Sequence, residues 1–401
     1  MPETDQTPIY LDNHATTRVD PRVVAAMVPF LETHYGNAHS PTHYFGAEAR
    51  EALESSRGKL AELLGAQPDE IVFTSGATES NNLALRGVIE HPRCRRGGVI
   101  SVVTEHAAVL DPLRRLAKLG TPVTWLPVAP TTAPDCGVID LQQLTDALDD
   151  SIGLVSVMWA NNEIGVLQPL DEIGRLARAA GALVHCDATQ AVGKLPINLA
   201  RTPIDLLSCS AHKFHGPKGV GLLWVRSGTP RVKLEAQQLG GGHEAGRRSG
   251  TVNVPGIVGM ATALELALTD LDQHQSHLRQ LKQLMWSSLQ EQLAAIQCEV
   301  ELNGPSWERD DLRLPGNLNF RIVGIDGQTL LARLPWLALS SGAACSSIHP
   351  APSHVLQALG LDNDQIRSSL RVGLSRFNTV DEIDRAVRAI VSTTRTLSAM
   401  R

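Results

Sequence analysis

A lysine that follows an apolar run is the first candidate for chemistry in this chain. Lys213 lies in the segment Ser210–His215, which follows the apolar run Ile204–Cys209. A lysine at the end of a buried strand loses part of its hydration, which lowers its pKa and frees the amine to attack a carbonyl. Ser210 and His212 flank it, and both can hydrogen-bond a phosphate. This arrangement suits pyridoxal phosphate held as a Schiff base. A single lysine, taken without its neighbours, is more often a solvated residue of an ordinary loop.

A second candidate is a small-residue turn with the character of a phosphate site. Ser75, Gly76, Ala77 and Thr78 follow the predicted strand Ile71–Thr74 and open a helical pattern. The start of a helix offers unpaired backbone N–H groups and a positive dipole end, and the glycine lets the backbone approach an anion closely. An ordinary capped helix start explains the same residues equally simply.

Polar side chains also follow two further predicted strands. His106 comes after Val99–Val103, where an imidazole could stack on an aromatic cofactor and move protons. Asn161 and Asn162 come after Leu154–Trp159, where adjacent amides could bind a hydroxyl or a carboxylate. A structural histidine and a simple turn are the alternative interpretations.

Asp187 ends the apolar run Ala182–Asp187, where an unpaired carboxylate would be costly. It therefore needs a cationic partner, and the pyridinium nitrogen of pyridoxal phosphate is one. A buried salt bridge to lysine or arginine is the alternative. Gln190, three residues later, would then reach the ring hydroxyl.

Two candidates lie far along the chain. Cys345 occupies a loop of glycine, alanine and serine residues, which predicts an exposed thiol, although a surface cysteine without a role is the default. Arg371 is flanked by apolar residues, and a carboxylate clamp and a structural ion pair explain it equally well.

The elements that must position these residues form an α/β pattern. From about residue 50 to 225, short runs rich in valine, isoleucine and leucine alternate with amphipathic helical stretches, which predicts a doubly wound, mainly parallel sheet. Such sheets bind ligands at the carboxyl ends of their strands, where most of the candidates fall. Residues 18–260 are predicted to form this large domain, and residues 1–17 plus 261–401 a smaller α+β domain. Residues 257–294 predict one long helix.

Composition excludes several classes of function. The chain has 401 residues, 43% of them hydrophobic, and a net charge of −6, without the basic block expected of a direct nucleic-acid binder. No apolar run approaches the roughly 20 residues of a membrane span, and the first six residues lack the pattern of a signal peptide. Six scattered cysteines indicate a reducing compartment, so we expect a cytoplasmic protein.

The ordered motifs resemble those of the cysteine desulfurases of the IscS and NifS type, in the class V aminotransferase group of fold-type I pyridoxal phosphate enzymes. The resemblance extends from residue 10 to beyond residue 370. The segments that carry it are 10–17, 73–81, 104–106, 161–165, 187–190, 210–213, 248–251, 340–345 and Arg371.

The resemblance implies roles around the cofactor. Lys213 would hold it as a Schiff base, Asp187 would pair with the ring nitrogen, and Gln190 would contact the ring oxygen. His106 would stack on the ring and handle protons. The phosphate would be held by Ala77, Thr78, Ser210 and His212, and by Thr251 of a second copy, which implies a homodimer.

The resemblance also implies the reaction. Asn162 and Arg371 would receive the carboxylate of L-cysteine, and Cys345 would accept its sulfur as a persulfide while L-alanine is released. The sulfur would pass to an acceptor protein, either an iron–sulfur scaffold or a thiolation enzyme. Alternatives are a cystine or cysteine C–S lyase, which needs no Cys345, a selenocysteine lyase, a class V aminotransferase proper, and a sulfur carrier without catalysis.

Overall fold

The computed structural model describes residues 7–40, 42–228, 231–342 and 351–400. The strands are β1 Ile9–Tyr10, β2 Ile71–Thr74, β3 Gly98–Val102, β4 Val123–Leu126, β5 Ile152–Ser156, β6 Leu183–Asp187, β7 Leu206–Ser210, β8 Gly221–Val225, β9 Val300–Leu302, β10 Asn317–Ile322, β11 Leu337–Ala338, β12 Ser340–Ser341 and β13 Ser369–Gly373. The helices are α1 Pro21–Met27, α2 Pro29–Glu32, α3 Tyr44–Leu64, α4 Ala77–Ile89, α5 Ala107–Lys118, α6 Leu141–Ala147, α7 Leu170–Ala179, α8 Val254–Thr269, α9 Leu271–Ala294, α10 Gly327–Ala332, α11 His354–Ala358, α12 Asn363–Arg367 and α13 Val380–Ser398.

The larger sheet has the order β2-β8-β7-β6-β5-β3-β4. Strands β7, β6, β5, β3 and β4 are parallel, whereas β8 runs antiparallel to both β7 and β2. The predicted α/β class with a mainly parallel sheet is therefore confirmed. Strand β4 was not predicted from the sequence. It is four residues long and lies at the sheet edge, where three of its residues are not fully buried.

Helices cover both faces of this sheet. Neighbouring strand residues point to opposite sides, so Val99 and Leu206 pack with α4 and α5, whereas Ile100 and Leu207 pack with α3, α7 and α8. Burial on both faces explains why these strands are apolar without alternation. The carboxyl ends of the parallel strands are left open as a common edge.

A smaller antiparallel sheet, in the order β12-β13-β10-β9, packs against α9 and α13. The N-terminal β1 pairs in parallel with β11, and Ile9 and Leu11 are buried in the same apolar cluster. The chain's first described residues are therefore held beside its last third.

The predicted single helix over residues 257–294 is wrong. Helices α8 and α9 meet at Asp270, whose backbone is not helical (φ −120°, ψ 34°), and their axes are bent by 73°. Helix α8 packs in the cluster of the large sheet, and α9 packs in that of the small sheet. The predicted boundary at residue 260 lies inside α8, and the domain limits stay a prediction. Among the described residues, no single helix is both long and apolar enough to cross a membrane, and α8 with α9 reaches that criterion only as a bent pair.

Candidate active site

Lys213 ends the short 3₁₀ turn Ala211–Lys213, directly after the carboxyl end of β7. Its Nζ donates to the backbone oxygens of His14, at 2.7 Å, and Ala15, at 2.8 Å. Burial, followed by the positive charge of Arg371, lowers the pKa of Lys213 to about 8. The predicted loss of lysine hydration is therefore present, and the amine is held by the N-terminal segment.

The small-residue turn before α4 lies against the same strand end. Gly76 caps the helix with φ 154°, in the region that favours glycine, and a Cβ at that position would lie 3.7 Å from Ser210 Oγ. Gly221 is tighter, since a Cβ there would lie 2.7 Å from Gly76 Cα. Ala77 and Thr78 begin the helix beside this contact, so the structure brings them together with Ser210 at one sheet edge.

His212 lies between Ser210 and Lys213, and its Nδ1 is 3.0 Å from Thr16 Oγ1. Burial, with the positive charge of Lys213 next in size, lowers the pKa of His212 to about 4. The imidazole is therefore neutral near pH 7 and can donate a single hydrogen bond to an anion.

Asp187 ends β6 and is 5% exposed. Its Oδ2 accepts from Asn81 Nδ2 of α4 at 2.7 Å, and its Oδ1 accepts from the backbone N–H of Thr189 at 3.0 Å. Both donors are neutral, and no salt bridge of the described residues includes Asp187. The carboxylate is therefore fixed in direction but lacks the Lys or Arg partner that the alternative interpretation requires.

Glu105 is a second buried carboxyl group near Asp187. Its Oε1 accepts from the backbone N–H of Met158 at 2.5 Å, and its Oε2 has no hydrogen-bond partner among the described residues. Burial, followed by the negative charge of Asp187, raises the pKa of Glu105 well above its usual value. Burial and the neighbouring carboxylate therefore both disfavour a negative charge on Glu105.

His106 caps α5, because its Nδ1 accepts from the backbone N–H of Ala108 at 3.0 Å. This bond leaves the ring proton on Nε2. Burial lowers the pKa of His106, whereas the charge of Asp187 raises it and that of Lys213 lowers it again. A neutral imidazole thus lies within the electrostatic reach of both central residues.

Gln190 is buried and hydrogen-bonded to the N-terminal segment. Its Nε2 donates to the His14 backbone oxygen at 2.9 Å, and its Oε1 lies 3.1 Å from His14 Nδ1 and 2.5 Å from Lys194 Nζ. Because Lys213 donates to the same His14 oxygen, Gln190 and Lys213 share one acceptor.

Arg371 forms the structural ion pair that the sequence offered as one interpretation. Its Nη2 pairs with Asp12 Oδ1 at 2.7 Å and donates to Ser340 Oγ, and its Nη1 donates to the Asn162 backbone oxygen at 3.2 Å. The structural ion pair is therefore present. However, the buried Nε of Arg371 has no partner among the described residues, so the guanidinium retains a donor for a further ligand.

One predicted site residue is not joined to this cluster. Thr251 is exposed, and within the described residues it makes no hydrogen bond to the turn before α4. Cys345 lies outside the described residues. Two residues on either side of it are described: the backbone N–H of Ser353 donates to Gly342 O at 2.9 Å, and Ser353 Oγ donates to Glu163 Oε2 at 2.5 Å. Gly342 and Ser353 are thus connected to the Asn161–Gly165 turn.

Comparison with known proteins identifies the family to which this chain belongs. The class-V aminotransferase model matches residues 9–386. The chain is 45% identical to cysteine desulfurase IscS of Rickettsia bellii, over 96% of this chain and 90% of that protein. The chain belongs to the class-V aminotransferases, among the cysteine desulfurases.

Further matches extend over nearly the whole chain. Cysteine desulfurase IscS of Anaeromyxobacter dehalogenans is 46% identical, over 98% of this chain and 94% of that one. The solved structure of a NifS-like protein is 37% identical with a TM-score of 0.87, covering 96% of this chain and 99% of that one. The resemblance seen in the sequence and the predicted enzyme class are confirmed.

Cysteine desulfurases use pyridoxal phosphate, and the described residues fit this cofactor. Several buried polar atoms at this edge of the sheet have no partner of their own, as expected where a polar ligand would supply one. They are His14 Nε2, Asn81 Oδ1, Thr104 Oγ1, Thr189 Oγ1 and Arg371 Nε. Asp187 and Lys213 supply the charge and the amine that the ring and the aldehyde require.

The turn Asn161–Gly165 is held in place by Arg313, a buried arginine that lies between β9 and β10 in the chain. Arg313 Nη1 donates to Ile164 O at 2.9 Å, and its Nη2 donates to the backbone oxygens of Asn303 and Pro305 at 3.0 and 2.6 Å. Burial lowers the pKa of Arg313 to about 10. Carbonyl acceptors, rather than a carboxylate, therefore satisfy this guanidinium.

We expect Arg313→Met to lower the free energy of unfolding by about 3 kcal/mol, because it leaves three buried carbonyl groups without a donor. Urea unfolding followed by circular dichroism measures this change. Arg309→Met is the matched control, since Arg309 pairs with Asp311 at the surface and should cost about 0.5 kcal/mol or less. Equal unfolding midpoints for the two variants would contradict this role for Arg313.

Several residues of the site had no role predicted from the sequence. Asn81, which fixes Asp187, lies one helical turn after Ala77 and on the same face of α4, so helical spacing could have found it. Asp12 and His14 approach the site only because β1 pairs with β11, and no local pattern signals that contact. Lys194 lies seven residues after Asp187, and no role was predicted for it.

Proposed function

We propose that this chain removes sulfur from L-cysteine, releases L-alanine, and carries the sulfur as a persulfide on Cys345 to an acceptor protein. One observation carries the proposal: three groups meet at one edge of the sheet. They are an amine of lowered pKa, a buried carboxylate that has no cationic side-chain partner among the described residues, and a guanidinium with a donor that no described residue uses. These groups belong to Lys213, Asp187 and Arg371.

Each residue of the site has a separate role in the proposed reaction. Arg371 and Asn162 bind the substrate carboxylate, with the unpartnered Nε of Arg371 as the available donor. Lys213 takes and returns the proton at the substrate Cα, because a pKa of about 8 leaves part of its amine unprotonated at neutral pH. Pyridoxal phosphate supplies the electron sink for the charge that develops there. His106, with its proton on Nε2, can donate or relay a proton beside them.

The nucleophile is assigned to Cys345 because the resemblance to the cysteine desulfurases implies it, and two of the other cysteines are unsuited to the role. Cys186 and Cys209 are fully buried, and burial raises the pKa of both thiols. A thiol in an apolar core is neither ionised nor accessible, so neither can attack the substrate sulfur. Cys345 follows Gly342, the residue that pairs with Ser353 beside Glu163.

We further propose a homodimer in the cytoplasm, in which Thr251 of each copy reaches the other's phosphate site. Tyr35, Tyr44 and Phe45 form a contiguous aromatic cluster and are 66%, 73% and 45% exposed. The nearby contact between His39 and His243 connects this surface to the loop that leads to Thr251. Exposed aromatic clusters of this kind are typical of protein interfaces. The acceptor is expected to be an iron–sulfur scaffold or a thiolation enzyme.

The test is to incubate the enzyme loaded with pyridoxal phosphate with L-cysteine, to alkylate it, and to analyse its peptides by mass spectrometry. We expect the Cys345 peptide to gain one sulfur atom, with L-alanine as the released product. Peptides that contain Cys186 or Cys209 serve as internal controls and should gain none. Release of sulfide without sulfur on Cys345 would instead indicate a C–S lyase, and faster turnover of selenocysteine a selenocysteine lyase.

A further inference from the structure

A second lysine, Lys194, contacts the site through Gln190. Its Nζ lies 2.5 Å from Gln190 Oε1, and the same oxygen lies 3.1 Å from His14 Nδ1. Gln190 Nε2 donates at 2.9 Å to the His14 backbone oxygen, which also accepts from Lys213 Nζ at 2.7 Å. Lys194 is therefore connected to the reactive lysine by a continuous path of hydrogen bonds.

This network fixes which way the Gln190 amide faces. A lysine at this position donates to the amide oxygen, whether it is an ammonium or a neutral amine. Because that oxygen can only accept, His14 carries its proton on Nδ1. The amide NH₂ then faces the opposite way: one N–H goes to the His14 backbone oxygen, and the second has no acceptor among the described residues.

We propose that Lys194 is a positioning residue, which holds the Gln190 amide so that an N–H, and not the oxygen, faces the ring oxygen of the cofactor. This inference rests on the proposed function, which assigns Gln190 to that ring oxygen. The two ends of an amide have nearly the same shape, so hydrogen bonds must choose between them, and two do: Nε2 donates to the His14 backbone oxygen, and Oε1 accepts from Lys194. Without Lys194, only the His14 contact opposes a turned amide, which would bring its lone pairs toward an anionic oxygen.

The charges around Lys194 and the charge on the ring oxygen determine whether the titration midpoint of the bound chromophore rises or falls. Burial, followed by the positive charges of Lys213 and Arg371, lowers the pKa of Lys194 to about 7. The titratable or charged side chains that face this position are Lys213, Arg371, Arg376, His14, His212, His215 and His274. A hydrogen-bond donor on the ring oxygen stabilises its negative charge. Loss of that donor therefore raises the pH at which the bound chromophore gives up its proton.

The experiment is a pH titration of the visible absorbance of the enzyme loaded with pyridoxal phosphate. We expect Lys194→Met to raise the midpoint by about 1 pH unit, and Lys194→Arg, which keeps a donor, to stay within about a third of that shift. Lys118→Met is the matched control, because it removes a positive charge from an exposed residue in the last turn of α5. Its midpoint should equal that of the wild type.

A second pair of variants separates orientation from charge. In the Gln190→Leu background, adding Lys194→Met should move the midpoint by less than half as much as it does alone. An equal shift in both backgrounds, or no shift in Lys194→Met, overturns the inference. If Lys194→Met fails to fold by circular dichroism, Lys194→Ala, which also removes the donor, takes its place in the same comparison. A wild-type protein that develops no absorbance with pyridoxal phosphate would instead defeat the proposed function.

Discussion

Replacing Lys213 by alanine is expected to lower desulfurase activity by about 10⁴-fold or more, and to remove the visible absorbance that forms with pyridoxal phosphate. The reason is chemical, since an alanine can neither bond to the aldehyde nor exchange a proton with the substrate. Activity assays and an absorbance spectrum measure both effects. Lys218→Met, which removes an exposed lysine five residues away, should retain colour and activity.

Borohydride reduction of the coloured wild-type enzyme, followed by peptide mass mapping, tests the same assignment directly. We expect the reduced cofactor on Lys213. Lys194 is the informative competitor, because its pKa is also lowered and it lies on the same hydrogen-bond network. A label on Lys194 in the wild type would contradict the assignment.

The lowered pKa also sets how fast the cofactor binds. An amine with a pKa of about 8 is roughly one-fifth unprotonated at pH 7.4, whereas an ordinary lysine is unprotonated in about one part per thousand. The unprotonated fraction grows as the pH rises through the pKa. The rate at which Lys213 captures added pyridoxal phosphate should therefore increase up to about pH 8 and then level off.

Asp187→Ala is the second change with a large expected effect. The carboxylate is buried and fixed by Asn81 and Thr189, so its loss leaves the ring nitrogen without a charged partner in a poorly solvated place. We expect kcat to fall by about 10³-fold, which corresponds to about 4 kcal/mol in the barrier. Steady-state kinetics with L-cysteine measure this loss.

A matched carboxylate shows whether the effect is specific. Asp111→Asn removes an exposed negative charge that pairs with Arg114 on α5, and its kcat should stay within about twofold of the wild type. The variant Asp187→Asn keeps the size of the side chain but removes its charge. If Asp187→Asn retained wild-type kcat, the charge of Asp187 would have no part in catalysis.

Much of this architecture could be predicted because parallel strands end at one common edge. Asp187 and Lys213 follow adjacent strands, β6 and β7, so their proximity follows from the order of the sheet. The turn before α4 was harder to place, because β2 joins the sheet only through the antiparallel β8. Its glycine and helix start nevertheless indicated the correct edge.

The remaining features depend on contacts between distant parts of the chain. Lys213 contacts the His14 oxygen across 199 residues, and Arg371 contacts Asp12 across 359. No periodic pattern carries such information. The break at Asp270 was equally hidden, because α8 is apolar on most sides and its pattern runs into that of α9 without a glycine or proline. The two helices are distinguished in the structure by the bend at Asp270 and by their packing in different clusters.

Glu105 shows how a buried carboxyl group can lie beside a carboxylate without strengthening its negative field. Burial and the negative charge of Asp187 both raise the pKa of Glu105, so a second negative charge beside Asp187 is disfavoured. A divalent cation prefers several anionic oxygens, whereas a positive ring nitrogen needs one. The raised pKa of Glu105 thus biases this recess toward an organic monocation and away from metals.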